Sequence, residues 1–353
     1  MKIIHTSDLH LDSALTMRLD SKNIKERKSE LLLSFKRIAE KAITDKAEAV
    51  IIAGDLFDSE RVGKRTLKNV IDIISSCEDV TFFYLSGNHE KNVVFKSGFA
   101  LPENLKIFGE DWTYFKLGGV NIIGRSKTSP DMFSKILLNE KETNIVVLHG
   151  EIRNKSDYDG VIGKKDAEEL NIDYLALGHY HSYSQIQISH RCTAVYSGTP
   201  EGRGFDEAGP CGYVTLNIND GEVSHFFTKS AKRMLHIKEI DVTDASSDIA
   251  IIYKIEAALK SIPTCDLVRI RLVGTRGLGR CFDTDTIISS LKSSYYYAEI
   301  KDDTNVRLYA EDFKNDLSLK GEFIRGVLGD QTLSDKEKEG VINLGLSVLM
   351  KEV

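Results

Sequence analysis

No stretch of this 353-residue chain approaches the length of an apolar membrane span, and Met1 runs straight into a short β-branched segment without a basic, then apolar, leader. The five cysteines, Cys77, Cys192, Cys211, Cys265 and Cys281, are odd in number and form no C-x-x-C pair. That argues against a disulfide framework and for reduced, partly buried thiols. Together these absences predict a cytoplasmic protein with no membrane association. No Pro-rich linker, internal repeat or low-complexity tract is visible. Excess positive charge is missing too: 47 Lys and Arg stand against 53 Asp and Glu, a net charge of −6, which counts against a nucleic-acid partner. The remainder, 41% hydrophobic and 28% charged, is ordinary globular composition, and the length suggests two domains.

Five short apolar runs, each closing on an acid, amide or imidazole, organise the first half of the chain. Lys2–His5 leads to Ser7-Asp8-Leu9-His10, Ala49–Ala53 to Gly54-Asp55-Leu56-Phe57-Asp58, and Thr81–Leu85 to Gly87-Asn88-His89-Glu90. Asn144–Leu148 leads to His149-Gly150-Glu151, and Tyr174–Leu177 to Gly178-His179-Tyr180-His181. The runs read as buried strands. Ligand sites of layered α/β folds gather where strands end, so the five motifs are expected to converge. Asp8, Asp55, Asn88, His10, His149, His179 and His181 offer oxygen and nitrogen donors and no thiolate. Such a mixture suits Mn, Fe or Zn better than Ca or Mg. Seven side chains exceed the needs of one ion; two ions about 3.5–4 Å apart, sharing one carboxylate, would use them all.

The motif order D-x-H, G-D-x-x-D, G-N-H-[DE], H-G-x, G-H-x-H resembles that of the calcineurin-like metallophosphoesterases. Asp8-Leu9-His10-Leu11-Asp12-Ser13, with Tyr196-Ser197-Gly198-Thr199-Pro200-Glu201-Gly202-Arg203-Gly204-Phe205, is similar to the SbcD/YhaO group of DNA repair exonucleases. The YhaO branch fits better, because SbcD proper usually carries Gly where Asp12 stands. The likeness covers residues 1–230 strongly and the rest in outline. It implies a manganese-dependent nuclease acting on DNA beside an SbcC-type ATPase, with room for a homodimer. By motif, one ion would take Asp8, His10, Asp55 and His181, and the other Asp55, Asn88, His149 and His179. Glu90 departs from the group, which generally shows Asp there; Glu is the form common in protein phosphatases. A protein phosphatase is disfavoured because Asp58 is not followed by Arg-Gly and because that class lacks Gly-His-x-His.

His89 stands apart from the ligands. Next to an amide that supplies metal with oxygen, its ring is expected to face substrate and protonate the leaving alkoxide. Asp58 is suited either to hydrogen-bond that ring or to cap a turn. Basic residues cluster at Arg18, Lys22, Lys25, Arg27 and Lys28; at Arg61, Lys64, Arg65 and Lys68; and at Arg153, Lys155, Lys164 and Lys165. The last two sets follow metal loops, making Lys64, Arg65 and Arg153 candidate phosphate contacts, with Arg203 added from the resembling segment. A solvated helix face is the plainer reading of each cluster.

Leu31, Phe35, Ile38 and Ala42, and then Leu67, Val70, Ile71 and Ile74, keep helical spacing. The expected fold is α/β (α+β): a two-sheet sandwich flanked by helices over residues 1–230, then a small α/β cap domain over 231–310. A C-terminal helical segment over 311–353 either closes the cap's core or docks a partner, its last helix starting at the capping box Ser334-Asp335-Lys336-Glu337. Arg269, Arg271, Arg276 and Arg280 read as salt-bridged surface before DNA contacts. The reading is a two-metal phosphodiesterase, a DNA exonuclease or endonuclease, with a small-molecule phosphodiesterase or phosphomonoesterase on the same core as the alternative.

Overall fold

Apolar residues at both parities bury the central strands on two faces, as parallel sheets between layers require. The computed structural model describes residues 1–15, 17–90, 98–243, 245–277, 282–292, 294–307, 313 and 315–349. It divides into two compact units, Met1–Leu235 and His236–Val353.

The first unit runs β1 (Lys2–Thr6), α1 (Ser21–Thr44), β2 (Ala49–Ala53), α2 (Lys64–Ser75), β3 (Thr81–Leu85), β4 (Leu105–Ile107), β5 (Thr113–Leu117), β6 (Val120–Gly124), β7 (Thr143–His149), β8 (Glu151–Arg153) and β9 (Val161–Gly163). It continues with α3 (Lys164–Glu168), β10 (Tyr174–Gly178), β11 (Ser184–Gln187), β12 (Thr193–Tyr196), β13 (Gly212–Asn219) and β14 (Glu222–Lys229). One six-stranded sheet has the order β14-β13-β1-β2-β3-β4 and the other β11-β12-β10-β7-β6-β5. In the first, β1 to β4 are parallel and β13 returns antiparallel along β1. In the second, β12, β10, β7 and β6 are parallel.

Alternation then assigns the layers. Ile3, Ile51, Ala53, Phe83 and Leu85 meet Ile122, Ile145, Val147, Tyr174 and Ala176 between the sheets. Ile4, Val50, Ile52 and Phe82 face outward, onto Leu31, Phe35 and Ile38 of α1 and Leu67, Val70 and Ile74 of α2. Each such fully buried aliphatic side chain contributes roughly 1.5–3 kcal/mol. Because the parallel strands point one way, the ends of β1, β2, β3, β7 and β10 lie along one rim.

The second unit comprises β15 (Leu235–Asp241, whose first residue closes the first unit), α4 (Asp248–Leu259), β16 (Leu267–Val273), β17 (Thr275–Gly277), α5 (Thr284–Lys292), β18 (Tyr297–Asp302), β19 (Asn305–Arg307), α6 (Leu319–Gly329) and α7 (Asp335–Leu349). Its three-stranded sheet, β15-β16-β18, packs on Ile251, Ile255, Ile287 and Leu291. Arg269 pairs with Glu299 and Arg271 with Glu239 and Asp303, a salt-bridged surface; Arg280 lies outside the described residues. Phe313, Ile324, Ile342 and Leu346 form a separate small core joining α6 to α7 within this unit. The capping box forms: Ser334 N donates to Glu337 Oε2 at 2.9 Å and Glu337 N to Ser334 Oγ at 3.4 Å. No helix among the described residues is long and apolar enough to cross a membrane. Cys77, Cys192 and Cys211 are buried thiols and Cys265 lies at the surface; Cys281 lies outside the described residues.

Candidate metal centre

The loops after β1 and β2 are laced together. Asp8 N donates to Gly54 O (3.0 Å), His10 N to Asp55 O (2.9 Å) and Leu11 N to Leu56 O (2.9 Å). These bonds hold Asp8, His10 and Asp55 at φ of +53°, +45° and +50°, in the left-handed region that side chains ordinarily avoid. His179 adopts +109°. Strain of about 1–3 kcal/mol per residue is characteristic of functional sites whose surroundings over-determine the backbone. Two glycines permit the convergence. A Cβ on Gly54, itself at φ +94°, would fall 2.1 Å from His149 Nδ1, and one on Gly87 would fall 2.1 Å from Asp55 Oδ1.

Donor atoms from both sheets meet inside this frame. Asp8, Asp55 and His149 form one group with ligand atoms within 4.8 Å of one another, and Asp8, His10 and His181 form a second. Asp55 Oδ2 lies 3.2 Å from His149 Nε2 and 3.8 Å from His10 Nε2, and so faces both groups. His10 Nε2 and His181 Nε2 are 3.2 Å apart. Asp8, His10, Asp55 and His149 are all buried. The rings are oriented from behind. His149 Nδ1 sits 3.0 Å from Ala53 O, to which it can only donate, leaving Nε2 buried and facing Asp55 Oδ2. His181 Nδ1 sits 2.8 Å from Glu207 Oε1. His179 N donates to both Asp8 oxygens (3.0 and 3.1 Å), and its ring packs edge-on against His149 at 5.6 Å. Asn88 is exposed and lines a cleft of about 440 Å³ with Ser86, Ser126, Lys127 and Thr128.

The electrostatics follow from burial. Asp8 is pushed up to about 6 by burial, partly opposed by His149 and by Ser7, whose hydroxyl donates to it at 2.5 Å. Burial holds His10 down at about 3. Burial also lowers His149, but the bond to Asp55 and the charges of Asp8 and Asp55 outweigh it and bring the ring to about 9. For Asp55 burial is likewise overcome, chiefly by His149, and the carboxyl lies well below its usual range. The residues fit a pair of divalent cations. Carboxylate oxygens and imidazole nitrogens face one another at separations of 3.2 Å, where neighbouring ligands of one ion at about 2.1 Å would sit.

The other expected residues take diverse places. His89 is exposed; its N–H donates to Asp55 Oδ1 (3.2 Å), its Nε2 lies 4.0 Å from Asp55 Oδ2, and its ring is edge-on to His10 at 5.1 Å. Asp58 makes no hydrogen bond to His89. Its backbone N–H bonds Leu11 O, which delivers the carboxylate to His10 Nδ1 (3.1 Å) and Arg203 Nη1 (3.0 Å). Arg203, expected as a phosphate contact, is partly buried, with its guanidinium paired to Asp58 and to Glu207 (2.5 Å). Arg27, counted above with a basic cluster, is wholly buried between Glu30 and Glu201, with Nη1 3.0 Å from Glu201 Oε1. Lys64 and Arg65 are exposed in the first turn of α2, while Arg153 pairs with Glu151 (2.9 Å) and lies over Tyr158.

Sequence reasoning missed Glu207 and the role of Glu201, which accepts from Arg27, Arg37 and the backbone of Lys232 and Arg233. It noted Glu90 only as a departure. Glu90 is fully buried and accepts the N–H groups of Leu56 (2.8 Å), Phe57 (2.5 Å) and Gly87 (3.4 Å), so it ties the loop after β2 to the loop after β3.

A sequence profile described as calcineurin-like phosphoesterase matches residues 1–183. The chain is 25% identical over 298 residues to the uncharacterized metallophosphoesterase YhaO of Bacillus subtilis, covering 78% of this chain and 72% of that protein. It is 27% identical over 244 residues to the DNA double-strand break repair protein Mre11 of Methanosarcina acetivorans, covering 64% of this chain and 38% of that one. Against Mre11 of Archaeoglobus fulgidus it is 27% identical over 214 residues, covering 53% and 46%. The matches therefore span less than half the length of these two Mre11 proteins. Among solved structures, a dimetal phosphatase from Danio rerio is similar with a TM-score of 0.44 and 9% identity, covering 65% of this chain and 99% of that one.

Proposed function

The chain belongs to the calcineurin-like phosphoesterases, metal-dependent hydrolases that use two divalent ions, and from that premise we propose that it is a manganese-dependent DNA exonuclease or endonuclease. The observation that carries the reading is the convergence of Asp8, Asp55, His10, His149 and His181 on one rim, with Asp55 facing both ligand groups. The relatives named as break-repair proteins favour DNA over other phosphodiesters.

Asp8, His10, Asp55 and His181 would hold one ion, and Asp55, Asn88, His149 and His179 the other. When bound, the ions supply a water acidic enough to be hydroxide near neutral pH and offset the charge of the phosphate. His89, exposed above Asp55, donates a proton to the departing sugar oxygen. Lys64 and Arg65 contact flanking backbone phosphates. An SbcC-type ATPase is the proposed partner. Its proposed dock is the α6–α7 pair, where Val341 and Val348 are exposed beside buried Ile342 and Leu346; truncation before Ser318 should abolish that association and leave the first unit folded.

Turnover of single- and double-stranded DNA with added Mn, beside bis-nitrophenyl phosphate and cyclic nucleotides, tests the reading. Cleavage of DNA at rates above those of the small esters supports it. Hydrolysis of the small esters alone points to a small-molecule phosphodiesterase on the same core, for which the cleft beside Asn88 is large enough.

A further inference from the structure

The guanidinium of Arg203 touches the groups behind both imidazoles of one ligand set. Nη1 lies 3.0 Å from Asp58 Oδ1, which is itself 3.1 Å from His10 Nδ1. Nε and Nη2 lie 2.9 and 2.5 Å from Glu207 Oε1, and that same oxygen is 2.8 Å from His181 Nδ1. Arg203 N also donates to Glu207 Oε2 at 2.6 Å, so both oxygens of the carboxylate are held. Nη2 approaches His181 Nδ1 at 3.4 Å, but a guanidinium cannot accept, so the carboxylate is the proton acceptor of that ring nitrogen.

The arrangement has a chemical consequence. A carboxylate facing Nδ1 places the ring proton there and leaves the Nε2 lone pair free, which fixes both tautomer and ring orientation. Glu207 does this for His181, while Asp58 Oδ1 lies 3.1 Å from His10 Nδ1 without completing a hydrogen bond to it, and the two Nε2 atoms converge to 3.2 Å. Arg203 neutralises one of the two carboxylate charges, fixes the distance between them and is itself only 16% exposed. The strand-end segment carrying the clamp is anchored independently, since buried Glu201 binds Arg27 and Arg37 of α1. Neither carboxylate is among the seven side chains proposed as ligands.

We infer that Arg203 and Glu207 are positioning residues for the ion held by Asp8, His10, Asp55 and His181, and that Arg203 does not contact substrate. The inference rests on the two-metal reading above. Mn binding to full-length wild type, Glu207→Gln, Glu207→Asp and Arg203→Ala, followed by calorimetry and by the paramagnetic resonance of the ion, tests it, with thermal melting as a check on folding. In Glu207→Gln the amide can present N–H to His181 Nδ1 and favour the wrong tautomer. One of two Mn sites is expected to weaken by about 10–100-fold while the other keeps its affinity. Glu207→Asp should recover part of the loss. Arg203→Ala should weaken the same site and leave the affinity for single-stranded DNA, measured without Mn, unchanged.

Wild-type affinity at both sites in Glu207→Gln overturns the inference while leaving the two-metal reading intact, as does an equal loss at both sites, which a merely structural role would give. Weakened DNA binding by Arg203→Ala with Mn affinity unchanged overturns it in favour of a substrate contact. Failure of the wild type to bind Mn at all removes the reading and the inference together.

Discussion

Loading the site with metal should expel protons in a number that can be worked out from the structure. In the metal-free protein His149 carries its proton to about pH 9, because Asp55 and Asp8 outweigh the burial that would strip it. The raised value means that this proton stabilises the metal-free fold fully below pH 6.5, and that the contribution is lost as the pH rises through about 9. An ion can take His149 Nε2 only when the proton has left. At pH 7 that amounts to about one proton from His149 and about a tenth from Asp8, whose carboxyl lies at about 6. His181, raised by its bond to Glu207, adds a fraction, whereas His10, lowered by burial to about 3, adds none. Titration calorimetry with Mn in buffers of different ionisation heat reads the count directly. The apparent affinity should improve about tenfold per pH unit between pH 6.5 and 8, and fall more steeply below about 6 as Asp8 also retains a proton. Heats that do not depend on the buffer, with an affinity flat over that range, would refute the argument that the His149 proton and an ion compete.

Three further expectations bear on the same centre. Asp55→Ala removes the carboxylate that lies between His149 and His10 and should leave neither ion bound by metal analysis, whereas His10→Ala should lose one; two ions and normal turnover in Asp55→Ala would dismiss the shared-ligand assignment. His89→Ala should keep both ions and lose turnover on DNA by about 100-fold or more, but less on nitrophenyl esters, whose leaving group needs little protonation; an equal loss on both would count against an acid. Arg27→Met breaks a fully buried ion pair, and because Glu30 keeps Arg233 and Glu201 keeps Arg37 the cost should fall near the low end, about 3 kcal/mol. Thermal unfolding should then begin about 6–12 °C lower, and an unchanged midpoint would show that the network contributes nothing.

The sequence made the ligand strands legible because their information is local. Each is a short run with apolar residues at both parities, closed by glycine and a donor, and β2 and β3 fall at the residues that pattern delimits. Helices α1 and α2 were equally readable from their buried stripes. The supporting groups were not, because an isolated acid has no period. Glu207 lies two residues beyond the segment that carried the resemblance, and only the fold brings it under His181. Arg27 misled for a related reason: charge counting sees neighbours along the chain, whereas its position four residues before Leu31 puts it on the buried stripe of α1. Asp58 was drawn to His10 by a register invisible in sequence, the pairing of Leu11 with Phe57.

The antiparallel return of β13 along β1 has a consequence for biosynthesis. Lys2 pairs with Asn217 and His5 with Val214, so the first strand made waits for one of the last strands of its unit. At about 5–20 residues per second, the ribosome leaves that edge open for about 10–40 s. Throughout this interval β1 presents an unpaired row of backbone groups, the template on which aggregation starts. All seven side chains proposed as ligands precede β13 in the chain. The sheet is therefore completed last by the hairpin of β13 and β14, which carries none of the proposed ligands.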